Sequence, residues 1–284
     1  MPGTQGRGTG LAIQRISPST NGGSEASHTA LIAPTIPEIR IPSNPTLTQD
    51  EEWIEVEVDG RWQRHRLHEY HELYSIPGLY EGLFNRLLKC SSPIRVVSLL
   101  ADVMSEAGDN IEDLRVLDLG AGSGLVGYEL QNHNIDVVVG ADIIEEAKMA
   151  ALRDRPWCYD DYFIADFTKL DVVTDTEIRA YNLNALTCVA ALGFGDIPTA
   201  AFLQALDLIS TPGWVAFNIK EMFVQEKDVS GFDAMIRELA RRDVLRIEAY
   251  RRYQHRLSCA GEPLYYIALV AQKLQDVPAD LRRA

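Results

Sequence analysis

The sequence has few cysteines and no long hydrophobic run. Its four cysteines include no Cys-x-x-Cys pair, and Cys188 lies in an apolar run typical of a buried strand, so we expect reduced thiols in a cytosolic protein. No run reaches the roughly 18 to 20 apolar residues of a membrane helix. The N-terminus lacks a charged start followed by an apolar core. We therefore expect a soluble, cytoplasmic protein without a membrane partner.

Positive charge is also scarce. Lysine and arginine number 27 against 41 aspartates and glutamates, which gives a net charge of -14 and a pI near 4.9. Such a surface repels a phosphate backbone, because affinity for nucleic acid depends on neutralising phosphates with cations. Nucleic acid is therefore not expected as a partner.

Aromatic residues are absent from residues 1–50, which are rich in Gly, Ser, Thr, Pro and Asn. This segment has no helical or strand periodicity and too little apolar surface to offset the entropy lost on ordering. We predict a disordered tail over 1–50 and one folded domain over 51–284.

The first part of this domain, 51–110, is predicted to contain a β-hairpin and a helical lid. Two alternating runs, WIEVEV and RWQRHRL, are joined at Asp59-Gly60, a pair that suits the positive φ angles of a tight turn. Helical spacing follows over 68–90, with a break near Pro77-Gly78, and again over 94–106.

The remainder, 111–284, alternates apolar runs with stretches long enough for helices. This order predicts an α/β, Rossmann-like core with a mostly parallel seven-stranded sheet and helices on both faces. The predicted strands are Arg115–Leu119 and residues 136–141, 162–165, 183–189, 214–219, 244–255 and 264–272, the last two as a closing antiparallel pair.

The segment VLDLGAGSGLVGYEL, residues 116–130, combines a strand, a glycine-dense turn and a helix. Glycines at this junction let a ligand approach the backbone, and the helix N-terminus offers unpaired N–H groups. We predict a nucleotide-type cofactor at Gly120, Ala121, Gly122 and Gly124. The loop also satisfies the dinucleotide pattern G-x-G-x-x-G, so it leaves the cofactor open.

Acidic residues at three successive strand ends narrow the choice of cofactor. Asp118 precedes the glycines, where it can meet a cationic amino group directly or through water and would repel a pyrophosphate. Asp142 can accept both ribose hydroxyls, and Asp166 can accept a hydrogen bond from the adenine amine. Ile143 and Phe167 offer apolar faces to the adenine or belong to the core. Together the acids favour adenosine plus an amino acid, with helix caps as the alternative.

The segments VLDLGAGSG, VVVGAD, FIADF and LNALTCVAALGFGDIP resemble, in this order, the motifs of the class I S-adenosylmethionine-dependent methyltransferase family. The resemblance covers roughly 68–273, and the motif spacing is similar to the branch that includes bacterial small-molecule and Williams-Beuren-region-type methyltransferase-like proteins. It implies methyl transfer from S-adenosyl-L-methionine to an oxygen or nitrogen of a small molecule, with Val189 beside the methionine part. Where many relatives begin the fourth strand with an acid, this chain has Asn182 or Asn184.

The resemblance further implies that an N-terminal aromatic helix covers the methionine end, which makes Tyr70 and Tyr74 candidate contacts. Aromatic core packing is the open alternative. Imidazoles titrate near neutral pH, so His68, His71 and His255 are candidate general bases. Tyr70 is a further catalytic candidate.

Arginines cluster in two runs, at 64–66 and 251–256. If both lie near the site, Arg252 and Arg256 can bind an anionic acceptor. The alternative is a solvated strand face.

Other functions stay open at this point. The acceptor can be a protein, the fold can bind the cofactor without catalysis, and a nicotinamide-dependent oxidoreductase is the remaining alternative. A nucleic-acid methyltransferase is disfavoured, because residues 189–192 lack an Asn-Pro-Pro-aromatic element. No metal site is predicted, and the sequence gives no oligomeric state.

Overall fold

A computed structural model describes residues 36–42, 47–192, 196–221 and 231–283. Most of the predicted tail lies outside these ranges. Within it, however, strand β1 (Ile39–Arg40) pairs with strand β2 (Trp53–Val58). Ile39 is buried with Ile54 and Val56, so the predicted boundary at residue 50 is wrong for this segment. A two-residue strand is too short to produce a visible alternation.

The predicted hairpin is confirmed. Strand β2 pairs antiparallel with β3 (Arg61–Arg66), and the two turn residues Asp59 and Gly60 have φ angles of 52° and 75°. Both angles are positive, as this type of turn requires. Together β1, β2 and β3 form a small N-terminal sheet.

Three helical segments follow the hairpin. Helix α1 is Tyr70–Ser75, a π-helical segment spans Glu81–Leu87, and helix α2 is Ser92–Ala107. The predicted break is present, with Gly78 at φ 73°. Helix α2 buries Val96 and Leu100 against the main sheet. It therefore belongs to the core, and the predicted division of the domain at residue 110 is wrong for this helix.

The main sheet contains all seven predicted strands. Their order is β6-β5-β4-β7-β8-β10-β9, with β4 to β8 parallel and β10 antiparallel to both of its neighbours. The strands are β4 Arg115–Leu119, β5 Val137–Asp142, β6 Asp161–Ile164, β7 Ala185–Cys188, β8 Gly213–Lys220, β9 Leu245–Leu257 and β10 Pro263–Lys273.

Helices cover both faces of this sheet. Because successive strand residues point to opposite faces, Val116 packs in one apolar cluster with α2, whereas Leu117 packs in the other with Phe202. The helices are α3 Leu125–Gln131, α4 Glu145–Asp154, α5 Val172–Arg179, α6 Thr199–Leu208 and α7 Phe232–Arg241. No helix in the described ranges is both long and apolar enough to span a bilayer.

The strand order reverses direction at β4, which has β5 on one side and β7 on the other. Open α/β sheets bind ligands in the crevice outside the carboxyl ends of the strands at such a switch point. The glycine loop leaves β4 at this place.

Candidate functional site

A cavity of about 330 Å³ lies at the carboxyl ends of the parallel strands. Its size is within the usual range for sites that bind small ligands. Residues predicted for the cofactor that line the cavity are Tyr70, Tyr74, Gly120, Ala121, Gly122, Asp142, Ile143, Asp166, Phe167 and Val189. Asp118 and Gly124 are not among the lining residues.

The glycine loop brings bare backbone to the cavity wall. Gly120 and Gly122 have φ angles of 73° and 53°, in the left-handed region that favours glycine. A Cβ atom at Gly122 would lie 2.5 Å from the Tyr74 hydroxyl oxygen. A Cβ atom at Gly124 would instead lie 2.7 Å from the Cys158 sulfur. Gly124 therefore serves the packing behind the loop.

Asp142 ends β5 and is fixed by two backbone groups. Its Oδ2 accepts a hydrogen bond from the Gly122 N–H and its Oδ1 one from the Ile144 N–H, each at 3.0 Å. Burial raises the pKa of Asp142, and these hydrogen bonds act in the opposite direction. Each carboxylate oxygen keeps a second lone pair, so the group can still accept hydrogen bonds from a ligand.

Asp166 follows β6 on the same edge of the sheet. Its Oδ1 accepts hydrogen bonds from the Thr168 hydroxyl and N–H at 2.6 and 2.9 Å, and Lys169 Nζ lies 3.1 Å from Oδ2. These contacts lower the pKa of Asp166, and the hydrogen bond from the Thr168 hydroxyl has the largest effect. The nearby Ile143 is 62% exposed, whereas Phe167 is buried. This end of the cavity therefore opens to solvent.

Asp118 lies inside the end of β4, as predicted, but is not a lining residue of the cavity. It is fully buried, and its two oxygens accept hydrogen bonds from the hydroxyls of Tyr159 and Thr187, each at 2.7 Å. Burial raises its pKa to about 7. Because the carboxyl group lies behind the glycine loop, it does not reach a ligand in the cavity directly.

Aromatic rings cover part of the cavity wall. The ring centroids of Tyr70 and Tyr74 lie 6.2 Å apart, those of Tyr74 and Tyr80 4.8 Å, and those of Tyr80 and Phe84 4.6 Å. Tyr74 also packs on alanines of α4. The aromatic segment thus lines the cavity and contributes to the core, so the two alternatives for Tyr70 and Tyr74 coexist.

A polar contact fixes this aromatic segment to the glycine loop. Glu81 Oε1 accepts hydrogen bonds from Ser123 Oγ at 3.0 Å and from Arg155 Nη1 at 2.9 Å. Arg155 also donates to the Ser123 carbonyl at 3.0 Å. The side chains of Arg155 and Glu81 are only 14% and 18% exposed. Sequence reasoning missed this triad, because Glu81 and Arg155 belong to no motif.

Comparisons with known proteins agree with this geometry. No protein-family model matches the sequence, and a search of curated proteins finds no match. Among solved structures, the N-methyltransferase NodS from Bradyrhizobium japonicum WM9, in complex with S-adenosyl-L-homocysteine, has a TM-score of 0.50 and 13% identity over 72% of this chain and 97% of that chain. Magnesium protoporphyrin IX methyltransferase from Synechocystis PCC 6803 with bound SAM has a TM-score of 0.44 and 18% identity over 64% and 79%.

The likeness to NodS extends over nearly all of that chain. The chain has the class I methyltransferase fold. The resemblance seen in the sequence is thereby confirmed for the fold, with five parallel strands closed by the antiparallel pair β10 and β9.

Within the methyltransferase fold, His255 does not line the large cavity. It is 5% exposed, its Nδ1 lies 2.6 Å from Ser92 Oγ, and its ring stacks on Tyr266 at 4.0 Å. Burial, and then the neighbouring Arg256, lower its pKa well below the usual value. These contacts favour a structural role for His255, which lines a smaller cavity next to the large one.

Arg256, one of the arginines predicted to bind an anionic acceptor, already has an anionic partner. Its Nη2 lies 2.7 Å from Glu52 Oε2, with both side chains 3% exposed, so the charge is already compensated. Arg252 pairs with Glu221 at 2.8 Å and lies over the Tyr265 ring. These contacts favour the alternative of a solvated strand face for Arg252.

The other two candidate bases, His68 and His71, line the cavity. His68 Nδ1 lies 3.8 Å from Asp196 Oδ2 and 3.4 Å from the Tyr70 hydroxyl oxygen. The side chain of His71 is 61% exposed. Asp196 also lines the cavity. It lies near the end of the fourth motif segment, LNALTCVAALGFGDIP, and the sequence analysis did not single it out.

Asn184, one of the two positions where the chain departs from the family pattern, bonds to the backbone at the start of β4 and just before it. Its Oδ1 accepts a hydrogen bond from the Arg115 N–H at 2.7 Å, and its Nδ2 donates to the Asp113 carbonyl at 3.1 Å. The amide therefore joins the starts of β7 and β4.

One group in the described ranges has metal-ligating chemistry, formed by His65, Glu69 and Glu72. None of the three lines the cavity. His65 is hydrogen-bonded through Nδ1 to Glu72, which ties β3 to α1.

Proposed function

We propose that this protein is an S-adenosyl-L-methionine-dependent methyltransferase that transfers a methyl group to an oxygen or nitrogen of a small molecule. The observation that carries the proposal is the convergence of the glycine loop, Asp142 and Asp166 on one cavity under an aromatic cover. The fold shared with an N-methyltransferase supports it.

The residues on the cavity wall fit the parts of this cofactor. Asp142 would accept the ribose hydroxyls, and Asp166 the adenine amine. The bare backbone at Gly122, where a Cβ atom would collide with Tyr74, would admit the methionine part. Val189 would border that part from the end of β7.

The charge of the cavity suits this cofactor better than a dinucleotide. Asp142, Asp166 and Asp196 line it, and no lysine or arginine is among its described lining residues. Opposite charges attract strongly at short range in a partly buried site. An acidic cavity without a lysine or arginine among the described lining residues suits the positively charged methyl donor, whereas it would repel a pyrophosphate.

The bound cofactor would supply an electrophilic methyl group on a positively charged sulfur. The protein would hold the acceptor in line with the carbon–sulfur bond, and its aromatic cover would exclude water. Tyr70, Tyr74 and Tyr80 are the side chains of this cover. The Glu81–Arg155 pair holds it against the glycine loop.

A small acceptor and a cytoplasmic location complete the proposal. The aromatic residues of α1 and the π-helical segment cover the cavity, which favours a compact acceptor. A net charge of -14 disfavours nucleic acid as the acceptor. The four cysteines are unpaired, as expected in a reducing compartment.

Calorimetric titration tests the proposal. We expect S-adenosyl-L-methionine and S-adenosyl-L-homocysteine to bind and NAD⁺ not to bind. Asp142→Ala should weaken both adenosyl ligands by roughly 10-fold to 100-fold, since it removes the acceptor for two hydroxyls.

Asp136→Ala is the matched control, because Asp136 is an exposed carboxylate next to the opposite end of β5. It should leave both affinities unchanged. Binding of NAD⁺ in preference to the adenosyl ligands, or unchanged adenosyl affinity in Asp142→Ala, would contradict the proposed site.

A further inference from the structure

A second cavity, of about 30 Å³, adjoins the large one. His68, Tyr70, Tyr80, Phe84 and Asp196 line both. The two are therefore neighbouring compartments separated by shared side chains. The small compartment has room for one small polar group and lies on the side of the aromatic cover and Asp196.

Gln49 and Asp196 bring two hydrogen-bond acceptors to the small compartment. Gln49 Nε2 donates to the Tyr266 hydroxyl at 3.1 Å, and Gln49 Oε1 is buried without a hydrogen-bond partner among the described residues. The carboxylate of Asp196 is a second acceptor. Arg256 also lines the compartment, but Glu52 at 2.7 Å compensates its charge.

We infer that the small compartment binds the group of the acceptor that receives the methyl, here called its reactive head. This head is an amine or a hydroxyl on a neutral or cationic molecule, and Asp196 and His68 contact it. This inference rests on the proposed function. A buried amide oxygen and a carboxylate both require a donor, which an N–H or O–H group supplies. A carboxylate on the acceptor would face Asp196 as a like charge.

The positions of His68 and Asp196 also suit removal of the acceptor's proton. The acceptor's lone pair forms the bond to the methyl carbon, and the carbon–sulfur bond breaks with its electron pair going to sulfur, which becomes a neutral thioether. One proton of the acceptor passes to His68: a protonated amine gives it up before the attack, which frees the lone pair, and a hydroxyl gives it up as the bond forms. The resulting imidazolium lies next to the carboxylate of Asp196, 3.8 Å away in the structure, which stabilises the positive charge.

The electrostatics of Asp196 agree with a contact to a donor or a cation. Burial raises its pKa, and the nearby His68 acts in the opposite direction. A bound ammonium group would likewise stabilise the ionised carboxylate. Tyr70, Tyr80 and Phe84 present ring surfaces that are compatible with a cationic amine.

The test compares two ligands that differ at the transferred methyl. S-adenosyl-L-homocysteine lacks the methyl group, whereas sinefungin carries a primary amine at its position. Calorimetry on the full chain should show tighter binding of sinefungin. In Asp196→Asn this preference should fall by about 10-fold, because a charge-assisted hydrogen bond is lost, while affinity for S-adenosyl-L-homocysteine stays unchanged.

Asp166→Asn is the matched control, with the same chemical change at the adenine end. This variant should weaken the binding of both ligands by the same factor and leave the ratio of their affinities unchanged. His68→Gln serves as a second test variant and should also reduce the preference for sinefungin. Unchanged S-adenosyl-L-homocysteine affinity in Asp196→Asn and His68→Gln shows that these variants are folded.

A second measurement tests the acceptor class directly. With S-adenosyl-L-homocysteine bound, benzylamine should give NMR shift changes that saturate and benzoate should not; Asp196→Asn should remove this difference. If the unaltered protein does not bind S-adenosyl-L-homocysteine, the proposed function fails. If it binds this ligand but Asp196→Asn keeps the sinefungin preference, or benzoate binds as well as benzylamine, only the present inference is overturned.

Discussion

At the scale of single residues, Asp118 is a carboxylic acid enclosed without a cationic partner. It accepts hydrogen bonds from Tyr159 and Thr187, and burial raises its pKa to about 7. The folded state therefore holds a proton that the unfolded chain releases near pH 4. By linkage, the stabilising contribution of Asp118 is complete below pH 4 and is lost as the pH rises through about 7.

Asp118→Asn should remove this pH dependence. The Tyr159 hydroxyl also lies 3.3 Å from the Ala121 carbonyl, to which it can donate while it accepts from the new amide. We expect the unfolding free energy of the variant, relative to the unaltered protein, to rise between pH 4 and pH 8 in urea titrations.

The exposed substitution Asp136→Asn should follow the unaltered protein over the same range. If the unfolding free energies of Asp118→Asn and the unaltered protein changed in parallel with pH, Asp118 would be ionised in the folded state over this range. Our account of its burial would then fail.

At the scale of elements, a polar contact holds the aromatic cover against the glycine loop. Glu81 in the π-helical segment binds Arg155 after α4 and Ser123 in the glycine loop. Glu81→Ala would leave Arg155, 14% exposed, without its carboxylate partner. We expect the cover to open more often, with S-adenosyl-L-homocysteine dissociating on the order of 10-fold faster in stopped-flow fluorescence.

Glu238→Ala is the control for this prediction. Glu238 pairs with Arg241 and Arg242 on the surface of α7, so its loss should leave ligand dissociation as before. Equal dissociation rates for Glu81→Ala and the unaltered protein would mean that the contact does not hold the cover.

The sequence predicts these elements to different degrees. Parallel strands end at one sheet edge, so the convergence of the glycine loop with Asp142 and Asp166 follows from strand order alone. No such rule places Glu81 beside Arg155, since their contact depends on how α1 and the π-helical segment pack on α4. Strand β1 was missed for the same reason: Ile39 is buried only because β2 lies beside it.

At the scale of the whole molecule, a buried ion pair joins the N-terminal sheet to the main sheet. Glu52, just before β2, binds Arg256 of β9 across 204 positions of the sequence. The pattern RRYQHR shows charged residues but not their partners, so the sequence alone suggested a ligand site. Glu52 is the partner of Arg256 only because the two sheets pack together in the folded chain.

Removing one partner of this pair should be far worse than removing both. Arg256→Met leaves Glu52 buried without its cation, and we expect a loss of about 3–5 kcal/mol in the free energy of unfolding by urea titration. The double variant with Glu52→Gln should recover part of this loss, because the amide oxygen can still accept from the Cys259 N–H. Strictly additive effects would show that the two charges do not interact.

The wide exposure of Ile143 has a practical consequence. In the proposed binding mode the purine lies along this open rim, whereas the sulfur end is enclosed by tyrosines. A fluorescent dye or resin linker attached to the purine would then extend into water without displacing the tyrosines. Affinity capture of the protein from dilute solution should therefore use matrices coupled through the base, not through the amino-acid tail.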